Sequence, residues 1–73
     1  MLYAVFVAVC LSSLPARECR QLTALDWIAA PVAQRSLTGC MRHGMLYAAS
    51  SHLVTEGSYA KVFCVPRRAA PIG

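Results

Sequence analysis

Four cysteines, at positions 10, 19, 40 and 64, and two histidines, at 43 and 52, are the residues of this chain best able to do chemistry. Cys40 and His43 stand three apart and would share a helix face. With His52 and Cys64 they make up two Cys and two His, a set that structural zinc takes. On one helix, however, His43 and His52 would lie about 13 Å apart along the axis. That is too far for one ion, and the paired short spacings of zinc sites are missing. A cysteine nucleophile is the second option. A helix N-terminus would lower the pKa of Cys40, and His43 would be the base. There is no third orienting group, no oxyanion hole and no room for a pocket. No C-x-x-C occurs, so a thioredoxin-like role lacks its motif. The expectation is no metal, no cofactor and no catalysis, with His43 exposed and His52 bordering the core. The cysteines remain as disulfides, or as reduced thiols serving as small buried hydrophobes.

The elements that position them must be read from 73 residues, of which 58% are hydrophobic and 14% charged. A chain of this size buries only about 60% of its unfolded surface. Its core supplies roughly 3–5 kcal/mol, so disulfides, a metal or a partner usually assist. A cofactor-binding α/β fold or a two-domain cleft does not fit. The hydrophobicity is uneven. Residues 1–16 hold 13 hydrophobic residues and no charge. The remainder is Ala-rich and thin-cored.

Three readings compete for residues 1–16. As a secretory signal peptide, residues 2–11 are the apolar stretch and residues 12–16 the cleavage region, with Ala16 the last residue removed. The leader would lack a basic start. As a membrane anchor the run is short of the roughly 20 residues a span needs. As a structural element, Tyr3, Val5, Phe6, Val7 and Val9 favour a buried strand. The signal peptide is the favoured reading.

Beyond a polar boundary at residues 17–21, residues 22–30 predict a short helix or turn, because Thr23 and Asp26 match a capping box. A strand over 19–25 is its rival. Pro31 would stop the helix. Residues 31–38 connect, with Ser36 or Thr38 able to cap the next helix. That main helix is expected over 40–56, with Met45, Ala48, Ala49, His52 and Leu53 on one face. Gly44 inside it marks a place where something packs close. Gly57 fits its C-terminal cap. Residues 58–65 read as a strand, with Ala60, Val62 and Cys64 on one face and Tyr59, Lys61, Phe63 and Val65 on the other. Pro66 would end it, leaving a basic flexible tail over 67–73. The fold class is therefore a small α+β domain over 17–66 behind an apolar N-terminal segment.

Helix then strand has a geometric consequence. The helix is about 24 Å long, and the strand turning back at Gly57 returns Cys64 to the level of Cys40. A Cys40–Cys64 bridge would close about 25 residues, worth about 3 kcal/mol in chain entropy. Cys10 and Cys19 can pair if the N-terminus is retained. Otherwise Cys19 is free or bridges to another chain. Four cysteines allow three connectivities.

Cys40, Met41, Gly44, Ala48, Tyr59 and Cys64 together resemble a pattern in short exported proteins of alphaproteobacteria and their phages. In these a Cys-Met pair and a nearby Gly open a helix, and a later strand ends in cysteine. The resemblance loosely covers residues 19–64. It departs in the leader, which lacks basic residues, and in the helix end, which is not aromatic-rich. It implies export and a disulfide, and it brings no activity.

The net charge is +4, but the basic residues are scattered at 17, 20, 35, 42, 61, 67 and 68. A nucleic-acid footprint would cluster on one face. Arg67 and Arg68 are the one adjacent pair and, with Trp27, the candidates for contact with a partner. Trp27 otherwise caps the core. The expectation is a small, exported, non-catalytic structural or interaction component, periplasmic or secreted, with a protein partner. The second reading is a subunit of a membrane-associated or virion assembly that retains its apolar N-terminus, with membrane contact through residues 1–16. The third is a reduced protein that binds nucleic acid weakly.

Overall fold

The computed structural model describes residues 2–67. Its centre is the strand β1, Leu2–Leu11. Five β-branched or aromatic residues, Tyr3, Val5, Phe6, Val7 and Val9, suit a strand covered on both faces: Val5, Val7 and Val9 lie on one face, and Phe6, Ala8 and Cys10 on the other. β2, Asp26–Ala29, pairs antiparallel along one edge of β1, and β3, Ser58–Arg67, along the other. The sheet order is β2-β1-β3. Among the described residues one α-helix, α1, Leu37–Ser50, lies on one face against β1 and β3. The chain between β1 and β2, with a 3-10 turn at Ala16–Glu18, crosses the other face. This is an α+β domain with two disulfides, Cys10–Cys19 and Cys40–Cys64.

Of the three readings of the N-terminal segment, the fold uses residues 2–11 as the structural strand. Of eight buried hydrophobic residues, β1 supplies five: Val5, Val7, Ala8, Val9 and Cys10. The expected cleavage point, Ala16, sits in the 3-10 turn. Its carbonyl accepts from the Cys19 N–H at 3.1 Å and from Lys61 Nζ at 2.6 Å.

Of the short helix or turn predicted over 22–30, the chain forms a turn at residues 21–23 and no helix, and the rival strand over 19–25 is not formed. Thr23 Oγ1 donates to the Glu18 carbonyl at 2.5 Å and accepts from Arg20 N–H at 2.9 Å. Its capping partner, Asp26, begins β2 instead. Here the open edge of β1 outweighs a local helix-start signal, because pairing satisfies more backbone groups than one short turn.

α1 begins earlier and ends earlier than the predicted 40–56. Ser36 caps it by accepting the Gly39 N–H at 3.0 Å. It stops at Ser50, and His52 follows in the left-handed region at φ 52°. Gly57, at φ 85°, serves the turn into β3 rather than a helix cap. The buried face is Cys40, Gly44 and Ala48. Met45 and Ala49, expected inside, are exposed. The bridge to Cys64 fixes which face turns inward, and small residues let the helix axis come close to the sheet.

Gly44 shows how close. A Cβ there would lie 2.5 and 2.8 Å from the two methyls of Val62 and 3.2 Å from Val5 Cγ1. Val62 is β-branched and stiff, so it cannot rotate away. Gly44→Ala should therefore destabilise by about 1–3 kcal/mol of overpacking, although Ala is the better helix former by about 1 kcal/mol. A thermal melt checks the sign: the variant should melt lower, and an unchanged or raised Tm would refute the close packing.

β3 runs two residues past its predicted end. Pro66 does not break it, because its missing N–H falls on the outer edge, where no ladder bond is lost. Arg67 thus closes the strand opposite Leu2 rather than opening a tail. Arg68 and the rest of the predicted tail lie outside the described residues.

Candidate functional site

β3 divides its side chains as the alternation predicts. Cys64 and Val62 meet α1, through the disulfide and Gly44 respectively. Tyr59, Lys61 and Phe63 stand on the opposite face with Phe6, Ala8 and Cys10 of β1.

That opposite face carries a second, smaller core. Cys10, Cys19 and Ala8 are fully buried, and Leu14, Ala24, Trp27, Tyr59 and Phe63 pack around them. Two hydrogen bonds hold the covering chain down: Tyr59 Oη donates to the Leu14 carbonyl at 2.6 Å, and Lys61 Nζ donates to the Ala16 carbonyl. Trp27 is half-buried. It stacks on Phe6 at 5.2 Å between ring centroids and tilts against Phe63 at 5.0 Å. Lys61 Nζ also stands 5.0 Å from the Phe63 centroid. Trp27 therefore spends its faces on neighbours of its own chain, and its role here is to cap the core. Local sequence does not mark Phe6 and Phe63 as its partners. Alternation put Phe63 on the right face, but Phe6 lay inside a stretch favoured as a leader.

The candidate chemical residues do not converge. The sulfurs of Cys40 and Cys64 are bonded to each other, which leaves neither thiolate available as nucleophile or metal ligand. His43 Nε2 lies 2.6 Å from the Pro31 carbonyl, so this histidine is half-buried and tied to the connector instead of exposed. His52 is exposed in the turn after α1 and does not border the core. No cluster of three or more possible metal ligands occurs among the described residues. A shallow recess beside the 3-10 turn is lined by Glu18, Arg20 and Thr23, where the threonine hydroxyl is already engaged. Arg67 is exposed at the end of β3, away from Trp27 in the register, so these two contact candidates form no joint patch.

Among the described residues, the outer edge of β3 and one flank of α1 have no partner. The Ser12 N–H donates to the Gly57 carbonyl at 2.9 Å, while the Val9 and Val5 carbonyls accept from Leu25 and Ala30 on the other side. Even-numbered residues of β1 therefore bond toward β3. By the register, Tyr59, Lys61, Phe63 and Val65 answer them. Ala60, Val62 and Cys64 turn their N–H and C=O outward. On α1, His43 marks the flank nearest Pro31 and β2. The opposite flank, over β3, carries Met41 and Met45, 51% and 59% exposed.

No family model, curated protein or solved structure matches this chain. Among the described residues no helix is long and apolar enough to cross a membrane.

Proposed function

We propose that this protein is a small non-catalytic interaction domain of an oxidising compartment, periplasmic or extracellular, and that it keeps residues 2–11 as its central strand. One observation carries this reading. The segment that resembles a leader supplies most of the buried residues and holds both other strands, so its removal would leave no sheet. Two disulfides in so short a chain fit an oxidising environment. The resemblance to short exported proteins supports the same location. The use of residues 2–11 as the central strand supports the assembly-subunit reading over a protein cleaved after Ala16. Membrane contact through residues 2–11 is not part of this proposal, because Val5, Val7 and Val9 are packed inside.

Non-reducing intact-mass analysis of the natively expressed protein tests the reading. The expected species contains residues 2–11 and gains four hydrogens on reduction, two for each bridge. A mature species beginning at Arg17, or four thiols that alkylate without reductant, would overturn it.

A further inference from the structure

We infer that the outer edge of β3 and the Met41–Met45 flank of α1 together form the contact surface for a second copy of this chain, joined about a two-fold axis through Val62. The inference rests on the reading of the chain as an interaction domain that retains β1. An antiparallel pairing of two β3 strands centred on Val62 sets Val62 opposite Val62 of the second copy, and Ala60 opposite its Cys64. Those three residues are the ones whose N–H and C=O face outward, so every free N–H meets a carbonyl.

The ladder also ends where the strand cannot continue it. Ser58 falls opposite Pro66 of the second copy. The Ser58 N–H is already donated to the Thr55 carbonyl at 3.0 Å, and proline has no N–H. Neither end therefore leaves an N–H without a partner. On the face opposite α1, Lys61 comes opposite Phe63 of the second copy, a cation–aromatic pairing. Shifting the axis to residue 61 would instead set two lysines against each other, which is unfavourable.

The helices give independent support. α1 packs on β1 and β3 alike, so its axis lies between them. Strands are about 4.8 Å apart. The two α1 axes would then stand roughly 10 Å apart across the two-fold, which is the distance at which helices pack, about 8–10 Å. The side chains between them would be Met41 and Met45, apolar and adaptable in shape. An unrelated partner strand would satisfy the backbone edge, whereas a second copy also brings a helix flank of the same residues at packing distance.

Sedimentation equilibrium across a concentration series tests the proposal, with intact mass read on the same sample. The wild-type protein should fit a monomer–dimer equilibrium. Met45→Glu places two carboxylates across the axis at an exposed site and should raise the dimer Kd by about tenfold or more. Ala60→Pro removes an outward N–H without touching the ladder to β1 and should do the same. Leu46→Glu, 62% exposed on the solvent side of α1, should leave the Kd unchanged. A wild-type protein that stays monomeric at its solubility limit, with residues 2–11 present in its mass, overturns the dimer and leaves the interaction-domain reading standing. A dimer insensitive to both Met45→Glu and Ala60→Pro overturns this surface. A mass lacking residues 2–11 overturns both.

Discussion

A chain beginning at Arg17 should not fold. β2 and β3 flank β1 and have no pairing with one another, so its loss leaves a helix and one strand joined by Cys40–Cys64. Val5, Val7 and Val9 are 2%, 0% and 6% exposed. At about 1.5–3 kcal/mol for each fully buried valine, their burial alone is at least as large as the roughly 3–5 kcal/mol a core of this size supplies. Cys19, buried in the native fold, would also lose its partner. The expected result is a far-UV circular dichroism spectrum without strand character and no cooperative thermal transition. A sigmoidal melt from the chain beginning at Arg17 would show that the domain is built from residues 17–67 alone.

The same segment shows how far the sequence could be read. An apolar run without charge is what a signal peptide requires, and it is equally what the middle strand of a sheet covered on both faces requires. Val5, Phe6, Val7 and Val9 satisfy both, so pattern alone cannot separate them. β3 was legible because it is covered differently on its two faces. Its alternation of Tyr59, Lys61 and Phe63 with Ala60, Val62 and Cys64 survives in the structure. The Cys40–Cys64 pair was legible for a related reason, since a helix followed by a returning strand brings those two positions together whatever the exact helix ends. The possible Cys10–Cys19 pair depended wholly on whether β1 stays.

Other features were decided by contacts that local sequence does not encode. The four residues of β2 take their form from the open edge of β1, against a capping signal at Thr23. The buried face of α1 is a stripe of three small residues, Cys40, Gly44 and Ala48, while Met41, Met45 and Leu46 remain outside. A rule that puts large apolar residues inward misplaces this face. Here closeness to the sheet and the disulfide decide the rotation of the helix. The surplus apolar residues are then left on a flank beside an open strand edge, and that coincidence carries the proposed self-association.

Removing the Cys40–Cys64 bridge should be the most damaging change that leaves the chain length intact. The bridge closes a loop with a sequence separation of 24, against 9 for Cys10–Cys19. Chain entropy assigns the longer loop about 3 kcal/mol, and the shorter one about 0.8 kcal/mol less. Packing widens the difference. α1 meets the sheet through Gly44 and Ala48, which bury little apolar area, so little besides the bridge holds it. The segment closed by Cys10–Cys19 has other ties, including Tyr59 to Leu14, Lys61 to Ala16, and Leu25 N–H to the Val9 carbonyl at 2.7 Å. A Cys40→Ala, Cys64→Ala double variant should therefore lose about 3 kcal/mol, most of what so small a domain holds. At ~4–8 °C per kcal/mol for this size, its Tm should fall by about 12–24 °C. The Cys10→Ala, Cys19→Ala variant should melt above it, although both of those sulfurs are fully buried. If the order of the two melting temperatures were reversed, α1 would have to be held by its side-chain contacts, and the small-residue stripe facing Val62 would be a stronger interface than its area suggests.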